Sequence, residues 1–275
     1  MTLIDTIIIG IVEGLTEYMP ISSTAHIIFT LNLLGVPEDS FIKILIIAIQ
    51  LGAILAVVFL YRNKFFDFSR ISFYSKLIAA VIPALVFGTL FHSKIEAVFD
   101  KPVYIAIVLI VGGIILMFID QYLDKPTTYK EENISYKQAL IIGFWQCLAM
   151  MPGVSRSAAS IIGGIQQKLS RTLAAEFSFL LAVPTMCAAT GFSLFIKSWP
   201  TQEGTQKGYE IITSTPDNIK IFLVGSFVSL TIAILAIKLF IGLIQKYGFK
   251  PWGWYRVVVG LILLLVFGVK DILQG

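Results

Sequence analysis

The chain has 275 residues, of which 57% are hydrophobic and 14% charged, with a formal net charge of +4. A soluble globular domain carries about 45–50% apolar and about 25% charged residues, so this composition excludes a soluble fold and marks an integral membrane protein. The positive excess is small and its lysines sit in loops, which argues for membrane topology and against a nucleic-acid partner.

In chain order, residues 1–12 lack a basic start and run straight into a polar motif, so they read as part of the mature fold and not as a secretory signal. That motif, EGLTEYMPISSTAH at 13–26, sits inside an apolar segment, 3–34, that proline breaks at its centre. Full membrane spans are predicted at 41–61, 75–93 and 103–122. The loops RNKFFDFSR (62–70) and DKPTTYKEEN (124–133) carry turn and charge signals. A second broken segment follows at 136–166, with PGVSRS at its centre, and then three further spans at 172–197, 219–240 and 252–269. The stretch KSWPTQEGTQKGYE (197–210) reads as another loop. No run alternates every second residue for long, as barrel strands would. The cysteines, Cys147 and Cys187, form no ligand spacing and read as buried small hydrophobes. His92 reads as structural.

The two broken segments resemble each other. IIIGIVEGLTEYMPISSTAH lies over LIIGFWQCLAMMPGVSRSAA so that Gly10 meets Gly143, Glu13 meets Gln146 and Leu15 meets Leu148. Ser22, Ser23 and Thr24 meet Ser155, Arg156 and Ser157, with only the prolines slipped by one residue. A weaker echo joins 104–117 to 255–266. The expected fold class is therefore an all-α integral membrane protein built from two repeats, each a re-entrant helix hairpin followed by three transmembrane helices. Three crossings per repeat invert the second relative to the first, and such repeats place their site near the midplane, where the unwound tips meet. The expected organisation is one membrane domain over 1–275: repeat one at 1–122, a cytoplasmic linker at 123–135 and repeat two at 136–275. Lys and Arg number twelve on the side of loops 62–76, 123–137, 168–171 and 238–250 and seven on the other, which makes the first side cytoplasmic. The mouth of the first hairpin then faces outward.

Glu13 and Glu17 are four residues apart and share a helix face. Two carboxylates in apolar surroundings call for a cation or a shared proton, so they are candidate ligands of a divalent metal or members of a proton shuttle; an exposed helix face is the plain alternative. Ser22, Ser23 and Thr24 open the next helix, where hydroxyls and free amides suit an anion, although a simple helix cap explains one of them. His26 lies one turn past Ser23 and suits a base, a proton donor or a hydrogen-bond partner for a nucleophile. In the second tip, Arg156 between Ser155 and Ser157 suits phosphate oxygens, or a salt bridge to Glu13 or Glu17 when the site is empty. Ser155 and Ser157 also read as caps.

EGLTEYMPISSTAH and PGVSRSAAS, with SRTLAAEFSFLLAVP at 170–184, closely resemble the signature segments of the undecaprenyl-diphosphate phosphatases, the BacA-type membrane enzymes associated with bacitracin resistance. The resemblance covers nearly the whole chain. It implies magnesium- or calcium-dependent hydrolysis of a C55 polyprenyl diphosphate to its monophosphate and inorganic phosphate, at the outer face of the bacterial plasma membrane, recycling the carrier of peptidoglycan synthesis. It implies catalytic roles for Glu13, Glu17, Ser23, His26 and Arg156, substrate contacts from Ser22, Thr24, Ser155, Arg156 and Ser157, and metal binding by Glu13 and Glu17. Attack by Ser23 or by water stays open. A polyprenyl-phosphate carrier or flippase is the rival, since paired broken helices are a transporter signature. Gly112-Gly113 suits helix packing within one chain or between two, so a homodimer is among the expected assemblies.

Overall fold

The computed structural model describes residues 1–275 except 38, 68, 100–101, 123–124, 202–203 and 275, and leaves out the side chains of 92–99, 122 and 269–274. His92, Lys94, Lys101 and Lys270, and the first two residues of the linker, thus lie outside the described residues. The first broken segment is α1 (Leu3–Thr16), an unwound tip, and α2 (Ser23–Leu34). Thr2 starts α1 with a capping box to Asp5, and Gly35 ends α2 in the left-handed conformation that only glycine takes freely. Then come α3 (Ser40–Leu60), a single turn α4 (Arg62–Phe65), α5 (Ile71–Phe99) and α6 (Pro102–Tyr122). The second broken segment is α7 (Tyr136–Cys147), a 3-10 turn at Leu148–Met150, a tip, and α8 (Arg156–Gln166). The chain finishes with α9 (Arg171–Gly191), a short α10 (Gly208–Thr213), α11 (Pro216–Tyr247) and α12 (Lys250–Gln274).

Among the described residues six helical stretches are long and apolar enough to cross a membrane: Ser40–Leu60, Ile71–Phe91, Pro102–Gln121, Arg171–Ile196, Pro216–Tyr247 and Lys250–Gly268. Each contains or nearly matches a predicted span, and the molecule is an all-α integral membrane protein. The pairing of helices has an internal regularity. Helix α1 packs on α11 while α7 packs on α5; α3 packs on α11 while α9 packs on α5; α6 lies along α12, and α3 meets α9. Exchanging the two halves helix for helix carries each of these pairings into another or into itself. Glycines allow the closest approaches. A Cβ at Gly143 would lie 2.2 Å from the Ala80 carbonyl of α5, and one at the matched Gly10 would lie 2.9 Å from the Gly225 carbonyl of α11. Side chains there would force the helices apart, so the small residues set the packing distance.

Three features depart from the sequence reading. The segment read as a loop at 197–210 holds a two-stranded hairpin, β1 (Ser198–Thr201) against β2 (Gly204–Lys207), which leads into α10. Trp199 is buried there against Ile44, Ala48 and Leu194, and its indole donates to the Ser193 carbonyl at 2.9 Å, so one aromatic anchor orders an otherwise polar stretch. The linker is docked. Thr127 and Thr128 donate to the Lys168 carbonyl at 2.9 and 3.0 Å, and Glu131 pairs with Lys64 at 2.7 Å and Arg70 at 2.6 Å. Finally, neither cysteine is buried: Cys147 is half-buried and Cys187 exposed on membrane-spanning α9. A thiol is a small apolar group and faces lipid as readily as a protein core.

Candidate active site

The two tips meet each other, and each begins its second helix with the same strained serine. Ser22 (φ 70°, ψ 93°) caps α2, and Ser155 (φ 72°, ψ 119°) caps α8. Positive φ costs an L-residue roughly 1–2 kcal/mol, and each hydroxyl in part offsets it by accepting an N–H of the first helical turn, from Ala25 and Ala158 respectively. Pro20, and Pro152 with Gly153 (φ 92°), break the preceding helices. Tyr18 fixes the first tip from below, donating to the Ala53 carbonyl at 2.9 Å and meeting Phe179 edge-on at 5.2 Å.

A chain of polar contacts joins the tips. Ser23 Oγ donates to Glu17 Oε2 at 2.6 Å, and Arg156 Nη2 donates to Glu17 Oε1 at 3.1 Å. Arg156 Nη1 is held by the Ser178 carbonyl at 3.0 Å, and its guanidinium lies 5.6 Å from the centre of the Tyr18 ring. Arg156 Nε is buried with no hydrogen-bond partner among the described residues, so one donor of the fork stays free. Ser157 Oγ donates across to the Met19 carbonyl at 2.8 Å and contacts Ser155 Oγ at 3.1 Å.

Beside this chain lies a cavity of about 140 Å³. Glu17, Ser22, Ser23, Thr24, Ser155 and Arg156 all line it, so both tips contribute. Pockets for drug-sized ligands run to about 300–1,000 Å³; this one suits a small polar headgroup, with any lipid tail left outside. Of the other predicted site residues, Ser157 is buried in the contact between tips. Glu13 is fully buried behind Glu17, and neither carboxylate oxygen has a hydrogen-bond partner among the described residues. No cluster of three or more His, Cys, Asp or Glu with metal-holding geometry occurs among the described residues. The donors nonetheless fit a hard cation: the orphaned buried carboxyl of Glu13, one turn from Glu17, is relieved either by a proton or by a cation, and to a cation it offers oxygen, with water or substrate left to complete the shell.

His26 is turned from Ser23, although it lies one helical turn beyond it. Its Nδ1 donates to the Ser22 carbonyl at 2.7 Å, and its Nε2 meets the Tyr255 hydroxyl of α12 at 2.8 Å. The group on the Ser23 hydroxyl is Glu17, because the unwound tip folds back over the last turn of α1.

Two polar residues at the site escaped the sequence reading. Gln50 of α3 lines the cavity. Arg256 of α12 is fully buried, and its guanidinium donates to the carbonyls of Leu109 (3.2 Å), Pro20 and Val154 (both 3.0 Å) and Gly153 (2.9 Å). It thereby grips both tips at once, satisfying the Pro20, Gly153 and Val154 carbonyls that unwinding left without intrahelical partners, while Leu109 ties it to α6. Gly112 leaves the room it needs: a Cβ there would lie 2.4 Å from Nη2. The signal was present in both cases, a polar side chain inside an apolar span.

The family model described as "Bacitracin resistance protein BacA" matches residues 6–262. An undecaprenyl-diphosphatase of Flavobacterium psychrophilum is 47% identical, covering 97% of this chain and 96% of its own. The undecaprenyl-diphosphatase of Flavobacterium johnsoniae is 44% identical over 97% and 96%. That of Porphyromonas gingivalis is 41% identical over 98% and 99%.

Proposed function

Because the chain belongs to the BacA family of bacitracin resistance proteins, we propose that it hydrolyses undecaprenyl diphosphate to undecaprenyl phosphate and inorganic phosphate, recycling the lipid carrier of cell-wall synthesis. The observation that carries the reading is the Arg156–Glu17–Ser23 chain beside a headgroup-sized cavity built from both tips. Arg156 binds the diphosphate through its fork, exchanging part of its hold on Glu17 for phosphate oxygens. Free amides at the starts of α2 and α8 add donors for the same charge. Glu17 accepts the Ser23 proton as Oγ bonds to the terminal phosphorus, and the bond from that phosphorus to the bridging oxygen breaks, releasing the lipid monophosphate. Water then cleaves the phosphoserine, returning the proton to Oγ. If instead Ser23 orients a water, the same carboxylate takes the water's proton and no phosphoserine forms. Most of the rate comes from fixed positive charge and positioning, since phosphoryl transfer asks little covalent chemistry of a protein.

Glu13 and Glu17 would hold a magnesium or calcium ion, which when bound would neutralise charge on the phosphate oxygens. Ser22, Thr24, Ser155 and Ser157 act as substrate contacts or as supports of the tips that make them. Given inverted repeats, the excess of Lys and Arg on the linker side supports a cytoplasmic linker and a cavity open to the outer face of a bacterial plasma membrane. The homodimer expected from Gly112-Gly113 is not needed to complete the site: within one chain a Cβ at Gly113 would lie 2.8 Å from the Gly253 carbonyl, so α12 already covers that face.

Inorganic phosphate release from undecaprenyl diphosphate by detergent-purified protein tests the reading. Release is expected, and a chelator is expected to abolish it, with added magnesium or calcium restoring it. Lipid binding without release under every condition would favour the carrier, which the exchange-related packing of the two halves otherwise fits equally well.

A further inference from the structure

Tyr255 opens the weak echo at 255–266, outside both signature segments, and does not line the cavity, yet it contacts His26. The Ser22 carbonyl can only accept, so His26 Nδ1, 2.7 Å away, carries the hydrogen. In the neutral imidazole Nε2 is then an acceptor, and the Tyr255 hydroxyl at 2.8 Å donates to it. The two ring planes are nearly parallel, 8° apart with centroids separated by 5.6 Å, so a ring contact accompanies the hydrogen bond. Both ring nitrogens are thereby occupied.

The other end of the contact explains its use. Ser22 has φ 70°, and its carbonyl also receives the His26 main-chain N–H at 3.4 Å, a longer bond than the imidazole makes. The Ser22 carbonyl and the Ser23 N–H belong to one trans peptide and point in opposite directions. Holding the carbonyl toward His26 therefore aims the Ser23 amide away from it and sets where Ser23 leaves the tip. Arg256, the next residue on α12, grips the Pro20 carbonyl of the same tip at 3.0 Å. Consecutive side chains of α12 thus hold the tip from two sides.

We propose that Tyr255 is a positioning residue for phosphate release: its hydroxyl fixes the tautomer and orientation of His26, which locks the strained Ser22–Ser23 peptide in the geometry that presents Ser23 to substrate. This rests on the phosphatase reading, so phosphate release by the unmodified protein is scored first, and its absence defeats that reading and the catalytic half of this proposal together. The variant is Tyr255→Phe, which removes one oxygen and keeps the ring. The chain has two histidines, so 15N-histidine labelling gives two imidazole spin systems, and His26→Gln identifies which is His26. The unmodified protein is expected to show the Nδ1-protonated tautomer, and Tyr255→Phe a changed His26 spectrum. With one hydrogen bond lost, kcat should fall roughly tenfold while KM stays within about twofold. The thermal unfolding midpoint should fall by no more than about 4 °C, as the loss of one hydrogen bond allows, which separates positioning from a loss of fold. An unchanged His26 spectrum in the variant overturns the proposal whatever the turnover. A changed spectrum with unchanged kcat, or a fall in kcat matched by loss of the unfolding transition, overturns it as well.

Discussion

Ser23, Glu17 and Arg156 form the shortest route from sequence to chemistry, and Arg256 the longest. The first three were legible because a hydroxyl, a carboxylate and a guanidinium inside apolar segments need a reason to be there, and an anion supplies one. What their side chains touch was legible only in part: a salt bridge from Arg156 to one of the glutamates was among the readings, while the expected neighbour of Ser23 was His26. Helical spacing brings those two residues close in number, but the unwound tip ends the periodicity that such spacing assumes. Tyr255 meets His26 across 229 positions, a contact no local pattern encodes. Arg256 likewise acts on main-chain carbonyls, which carry no residue identity to read. Replacing it by methionine, similar in length and without donors, strips three tip carbonyls, those of Pro20, Gly153 and Val154, of a partner. Each such loss costs about 1–3 kcal/mol, so Arg256→Met should lose at least about 3 kcal/mol and a large part of its thermal transition in detergent. Arg256→Lys should recover only a fraction, since one ammonium cannot reach carbonyls on three segments. A melting curve for Arg256→Met that overlays the unmodified protein would show that the tips hold themselves.

Helices and their breaks were the most legible level. Pro20 and Pro152-Gly153 announce where α1 and α7 must stop, and the serines that follow announce where α2 and α8 start, because unwound backbone at membrane depth must be capped and covered by protein. The hairpin β1–β2 was not legible: its residues are polar and turn-like, and it depends on Trp199 finding a pocket made by α3, the Phe192–Ile196 turn after α9, and α10. The docked linker depends in the same way on charges far apart in the chain, Lys64 and Arg70 against Glu131. These two elements also mark the two sides of the proposed topology. With Cys147 and Cys187 replaced by serine, a cysteine placed at Thr205 of β2 should react with a membrane-impermeant maleimide in intact cells. One placed at Ser69, beside the docked linker, should react only after the membrane is opened. The reverse pattern would turn the molecule over and move the cavity to the cytoplasmic face.

At the scale of the whole molecule, two halves with the same order of broken and unbroken helices have come to hold different chemistry. Glu13 and Glu17 of the first tip are matched by Gln146 and Met150 in the second, while Arg156 in the second is matched by Ser23 in the first. Neither half contains the site alone: the first supplies carboxylates and hydroxyls, the second supplies the cation that meets them. Helices α6 and α12 clasp the pair, and Arg256 on α12 fastens both tips to one point. Glu17 is therefore the residue where the halves join, accepting from Ser23 on one oxygen and from Arg156 on the other. The most direct test of its role is the turnover of Glu17→Gln at saturating undecaprenyl diphosphate, read as inorganic phosphate released. The isosteric amide keeps the shape and removes both the base and the charge that Arg156 meets, so turnover should fall by at least about a hundredfold with lipid still bound. Turnover within about twofold of the unmodified protein would contradict a mechanism in which this carboxylate moves the proton.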